Sequence, residues 1–147
     1  MNRDSLMTSL SRFITETKRL SDETHEAEDR RIYEMYLGNA GVILAKVAQD
    51  LGIGDDIDRM ERLFGNTWLK DENAYARVYG FWDEFKSLLV QSIHGMTVNE
   101  RLFTLGLSDE FDRAVENKDE ARLRAILSKC FIDKEGIQTI IAHEFKE

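Results

Sequence analysis

The chain has 147 residues, 42% of them hydrophobic, 33% charged and 10% aromatic, with nine glycines and no proline. It is too apolar for a disordered tail; the missing proline excludes collagen-like, mucin-like and Pro-rich linker segments and disfavours a turn-rich β-sandwich or barrel. The net charge of −8 is spread as −5 up to Gly95 and −3 beyond it, without the cationic stripe that nucleic-acid phosphates or an anionic membrane surface would require.

Hydrophobic periodicity places the first helix at about Asp4 to Leu20, with Leu6, Leu10, Phe13, Thr17 and Leu20 on one stripe and Asp4 or Ser5 as its cap. Ser21 to Arg31 is polar at ten of its eleven positions, either a loop or the solvated first turns of the next helix. That second helix carries Ile32, Met35, Tyr36, Val42, Ile43, Val47 and Leu51 and ends at Gly52. Gly38 and Gly41 inside it mark a place where another backbone packs closely.

Gly52 to Asp56 reads as a linker, with Asp55 or Asp56 capping a third helix striped by Ile57, Met60, Leu63 and Phe64 and stopped by Gly65 in the left-handed position. Asp71 opens the strongest periodic segment, which runs to about His94 before Gly95. Tyr75, Val78, Tyr79, Trp82, Phe85, Leu88, Leu89 and Ile93 recur there at helical spacing. Thr97 and Glu100 form a capping-box pattern ahead of Leu102, Phe103, Leu105, Leu107, Phe111 and Val115, with Gly106 as a potential break. Asp119 caps a sixth helix bearing Leu123, Ile126 and Leu127, and Asp133 caps a last one with Ile137, Ile140, Ile141 and Phe145. The expectation is all-α, an irregular bundle of about six to seven helices. It forms a single helical domain over 1–147, with potential substructure at 1–95 and 96–147.

Cys130 is the one cysteine, flanked by Ile126, Leu127, Phe131 and Ile132, and reads as a buried structural thiol. The N-terminal residues lack a signal peptide's apolar run, and no stretch approaches the length of a membrane span, so the expected location is cytoplasmic.

Enzyme patterns are sparse. His25, His94 and His143 lie far apart without metal-ligand spacing; Asp22 to His25 is the nearest approach to a ligand pair, and His94 beside Gly95 suits a helix C-terminus. Gly52-Ile53-Gly54 lacks the rest of a dinucleotide fingerprint. The acidic run from Asp55 lacks both the central glycine and the closing glutamate of a calcium loop. Neither a metal nor another cofactor is expected, although two carboxylates brought together by the fold need no motif.

An interaction surface is the remaining candidate. Trp68, Tyr75, Tyr79, Phe81, Trp82 and Phe85 fall within eighteen residues, interleaved with Asp71, Glu72, Asp83 and Glu84. Tyr75, Tyr79, Trp82 and Phe85 share one helical face and read as core. Trp68, outside that helix, and Phe81, at the edge of its stripe, are the residues expected at the surface. With Asp71, Glu72, Asp83 and Glu84 they would suit a basic protein partner, since aromatics dominate hot spots and acids steer a cation. Gly80 lies opposite the stripe, either tolerated there or approached by another group.

Gly65-Asn66-Thr67-Trp68-Leu69, Ala74-Tyr75 and Phe81-Trp82-Asp83-Glu84-Phe85, followed by Met96 to Phe103, Gly106-Leu107 and Glu110-Phe111-Asp112, resemble segments of small uncharacterised bacterial helical proteins. The resemblance spans roughly residues 60–127. It implies a bacterial, soluble, non-enzymatic protein and brings no catalytic motif with it. Size and charge add an analogy with immunity proteins that neutralise toxins. The leading expectation is therefore a cytoplasmic protein-binding module, an immunity-type inhibitor that occludes a basic toxin domain. The alternatives are a homodimeric scaffold meeting through Gly38, Gly41 and Gly80, or an enzyme with a non-local carboxylate or histidine site.

Overall fold

The computed structural model describes residues 2–146. Among the described residues every regular element is a helix: α1 (Arg3–Glu23), α2 (Ala27–Ala48), α3 (Gly54–Gly65), α4 (Glu72–Ile93), α5 (Val98–Leu105), α6 (Ser108–Glu116), α7 (Glu120–Lys129) and α8 (Lys134–Glu144). The all-α expectation holds, with eight helices rather than six or seven. The extra one arises at Gly106, whose φ of 74° ends α5 in a left-handed cap and lets the chain restart as α6.

Aspartate caps three of the eight helices. Asp71, Asp119 and Asp133 accept hydrogen bonds from the backbone N–H groups of Ala74, Arg122 and Gly136, and Thr97 with Glu100 forms a reciprocal capping box on α5. Two expected caps move. Asn2, not Asp4 or Ser5, caps α1 by accepting from the Ser5 N–H. Asp55 and Asp56 lie within the first turn of α3, where their charge still favours the helix N-terminus.

The stops differ more. Helix α2 ends at Ala48, well short of Gly52, and the left-handed position after it belongs to Asp50 (φ 56°). Lys118 and Phe131 take the same conformation after α6 and α7, whereas Gly106 is the one glycine with positive φ among the described residues. Gly65 is simply the last residue of α3. The polar Ser21–Arg31 stretch is mostly helical, interrupted by three residues, Thr24 to Glu26, between α1 and α2.

The chain divides into two compact units, Met1–Asp50 with Asp56–Gly95, and Leu51–Asp55 with Met96–Glu147. In the first, α1 packs against α2 and α4. Leu6, Leu10, Phe13, Tyr36, Ile43, Met60, Phe64, Val78, Trp82, Phe85 and Leu89 are buried there. Phe64 is the hub. It stacks on Tyr36 at 4.4 Å and on Trp82 at 6.2 Å, and meets Phe13, Tyr75 and Tyr79 edge-on. The Tyr75-to-Phe85 aromatics expected on the core face thus face the core, with Tyr75 and Tyr79 at its margin.

In the second unit α6 packs on α5 and α7, and α7 on α8, around Leu102, Leu105, Leu123, Ile126, Leu127 and Cys130. The segment from Leu51 joins this unit by backbone contact. A Cβ built on Gly52 would sit 2.3 Å from the Gly106 nitrogen, so the two glycines allow an approach that no side chain permits. Close packing at Gly38, Gly41 and Gly80 is not found, since a Cβ at each would meet nothing within 4 Å. Each mid-helix glycine instead costs about 1 kcal/mol relative to alanine. Val42, Leu51 and Phe103, expected on apolar stripes, are exposed at 45%, 50% and 82%.

Candidate functional site

The residues between α3 and α4 carry the most exposed tryptophan. Trp68 is 79% exposed, yet the chain on both sides of it is tied down. Thr67 donates its hydroxyl to the Leu63 carbonyl at 2.7 Å and shares a 2.7 Å hydrogen bond with the buried Tyr36 hydroxyl. Asn66 donates to the Arg62 carbonyl at 2.7 Å. Leu69, immediately after Trp68, is buried. The Lys70 N–H donates at 3.0 Å to Asp29, a carboxylate only 2% exposed. Asp71 then caps α4, and Tyr75 donates its hydroxyl to the Phe64 carbonyl at 3.0 Å. A large aromatic ring is therefore presented to solvent from a turn held on one side by the Thr67 hydroxyl and on the other by the Lys70 N–H.

Beside it lies a cleft of about 360 Å³ lined by Trp68, Leu69, Lys70, Glu72 and Tyr75. Its surroundings are acidic. Lys70 Nζ pairs with Glu26 at 2.9 Å, and Glu28 and Asp29 also act on its charge; the Lys70 pKa is raised, chiefly by the Glu26 hydrogen bond. Tyr33 is pushed up to about 12 by burial first, then by the charges of Asp29 and Asp71. Glu72 is exposed at the cleft.

The six candidate residues do not form one patch. Trp68, Asp71 and Glu72 cluster at the α4 N-terminus. Phe81 and Glu84 face α1: the Phe81 ring lies 5.7 Å beneath the Arg77 guanidinium and lines a groove of about 580 Å³ with Met7, Thr8, Ser11 and Arg12, while Glu84 pairs with Arg12 at 3.0 Å. Asp83 points along the α3 side, 4.0 Å from Lys86, which is itself bonded to Glu61. A step of 100° per residue puts neighbouring positions 83 and 84 on opposite flanks of α4.

Asp29, Glu26 and Tyr36 belong to this site and were not singled out from sequence. Asp29 lies in the most polar stretch of the chain, where nothing distinguishes a buried acid from a solvated one. Phe103 on α5 is a second exposed aromatic, in the other unit.

Two further groups carry chemistry. In the second unit Lys129 bonds Asp55 at 2.8 Å, and Asp55 is hydrogen-bonded to Glu110, whose pKa is raised by burial first and by this carboxylate second. Arg122 stands 3.9 Å from Glu110. Cys130 is buried, as its flanks suggest, and burial pushes its thiol up to about 11. Among the described residues no group of three or more His, Cys, Asp or Glu side chains is placed to hold a metal ion. No helix is long and apolar enough to cross a membrane.

No family model, curated protein or solved structure matches the chain. The functional reading therefore rests on the site itself.

Proposed function

We propose that this protein is a small acidic binding module that engages another protein through the Trp68 turn. The observation that carries this reading is a 79% exposed tryptophan on a turn pinned by Thr67 and by the bond from Lys70 to Asp29. Tryptophan is favoured as an interface anchor, and a turn ordered before binding loses little entropy when it docks. The acidic surroundings, Glu26, Glu28, Asp71 and Glu72, favour a cationic partner and would speed its encounter. The finer reading is an immunity-type inhibitor in the cytoplasm, with the Trp68 ring entering the substrate cleft of a basic toxin domain and the carboxylates covering its rim.

The test is co-purification from the native host with the full chain as bait. A specific partner should be retained by the wild type and lost with Trp68→Ala. Stability should stay within about 0.5 kcal/mol, because the ring is not in the core. Glu72→Lys should slow association, and raising salt from about 50 to 500 mM should do the same for the wild type. A partner held equally by Trp68→Ala would refute this site, and an on-rate indifferent to salt would refute the electrostatic contribution.

A further inference from the structure

The cleft of about 360 Å³ beside Trp68 lies at the small end of ligand pockets, with room for one side chain rather than a cofactor. Trp68, Leu69 and Tyr75 give it an apolar lining, and Lys70 and Glu72 bring charge to it. Tyr75 contributes only its ring, because its hydroxyl donates to the Phe64 carbonyl at 3.0 Å. Trp68 contributes an indole that is 79% exposed.

The acids around this cleft are not equivalent. Glu26 is committed to Lys70 Nζ at 2.9 Å and Glu28 to Arg31 at 3.3 Å. Buried Asp29 accepts the Lys70 N–H at 3.0 Å. Asp71 accepts the Ala74 N–H at 3.1 Å, where its charge offsets the positive end of α4. Glu72 lines the cleft as an exposed carboxylate with no ion pair or side-chain hydrogen bond among the described residues. The Lys70 charge is answered by Glu26, so the charge left for an occupant is negative.

An indole face beside a free carboxylate is complementary to a cation that is also flat. A guanidinium stacks on an aromatic face while its in-plane N–H groups fork onto a carboxylate, a combination that an ammonium matches less well. A neutral apolar side chain would crowd water from Glu72 without replacing its hydrogen bonds, and an acidic one would meet it charge on charge. From this pairing we infer that the cleft receives an arginine side chain of the partner protein, its guanidinium stacked on Trp68 and hydrogen-bonded to the Glu72 carboxylate. The inference rests on the Trp68 turn being the binding surface, and it adds the residue that the partner presents there.

The probe is N-acetyl-arginine amide, a single side chain without a carboxylate of its own, titrated to about 100 mM into the isotope-labelled full chain at constant ionic strength. The Trp68 indole N–H signal should shift saturably with a Kd of about 10 mM, while that of the fully buried Trp82 stays in place. N-acetyl-lysine amide should bind at least about threefold more weakly, and N-acetyl-citrulline amide, flat but uncharged, should give no saturable shift. Glu72→Gln, at an exposed position, should weaken the arginine probe at least about threefold with helical circular dichroism retained. Asp112→Asn, an exposed acid of the other unit, should leave it unchanged. No saturable Trp68 shift overturns the inference, as does equal binding of the citrulline probe, or a Glu72→Gln protein that binds like wild type. An equal loss in Asp112→Asn also overturns it, since net charge alone would then be at work. Release of a co-purified partner by Trp68→Ala stands through any of those results, so the arginine cleft can fail while the binding surface holds. A partner held equally by Trp68→Ala removes the surface, and with it the partner's arginine, even where the probe binds.

Discussion

At the residue scale, identical neighbourhoods in sequence lead to opposite fates. Trp68 and Leu69 are adjacent, one 79% exposed and the other buried. Asp29 lies among exposed acids but is buried, its carboxylate accepting the Lys70 N–H. Cys130 was the easier residue to read, because apolar residues flank it on both sides. Its thiol, pushed up to about 11 by burial, should be almost entirely protonated and shielded at neutral pH. A disulfide reagent at pH 8 should therefore label the native chain at the rate of opening, at least about a hundredfold slower than in urea. Immediate stoichiometric labelling of the native chain would show that the thiol is not enclosed.

At the element scale, helix starts were more legible than helix ends. An N-cap needs one side-chain oxygen at one position, and Asp71, Asp119, Asp133 and Thr97 all provide it. A left-handed stop needs only a tolerable φ. Asp50 supplies it in place of the expected Gly52, and Lys118 and Phe131 take it without being glycine, because surrounding packing outweighs a modest local strain. The glycines consequently divide into two kinds with opposite predictions. Gly52→Ala drives a Cβ into the Gly106 backbone and should destabilise the second unit by at least about 2 kcal/mol. Gly80→Ala, exposed within α4 with nothing near it, should stabilise by up to about 1 kcal/mol. Urea unfolding of the two variants checks both signs, and equal effects would contradict the close approach at Gly52.

At the scale of the whole molecule, stability should respond to pH through two carboxyl groups with opposite senses. Glu16 on α1 is held at about 2, chiefly by its hydrogen bond to Arg19, with Arg77 of α4 contributing. A carboxyl depressed in the folded state contributes stability above its unfolded value, about 4.3, and that contribution is lost as pH falls toward the folded pKa. The stability cost of Glu16→Gln at pH 6 should therefore shrink near pH 2. Glu110 is the reverse case, raised by burial and by Asp55. Its contribution is complete below about pH 4.3 and is lost as pH rises through the folded pKa. Glu110→Gln, an uncharged mimic of the protonated acid, should be more stable than wild type at pH 7, with the advantage vanishing below about pH 4. Urea midpoints across this range test both. A Glu110→Gln protein weaker than wild type at neutral pH would argue against a raised Glu110 pKa in the folded chain.

Read from local pattern alone, the chain already declared its helical class, its long α4 and most of its helix starts, since periodicity and caps involve residues within about four positions of one another. Gly106 was visible as a break, and its left-handed cap closes on the nearby Leu102 and Phe103 carbonyls, whereas its close approach to Gly52 spans more than fifty residues. The candidate site was half legible. Trp68 stood outside a stripe and so was expected at the surface, yet the Thr67 and Asp29 bonds that hold its turn span 31 and 41 residues to α2. The division of Phe81 and Glu84 from Asp83 followed from which neighbour each flank of α4 received, α1 or α3. Glycines 38 and 41 looked like packing sites within the chain, and only the placement of α1 and α3 on the other side of α2 left them facing outward. Such partners are far apart in sequence, and their meeting is decided by how the helices pack.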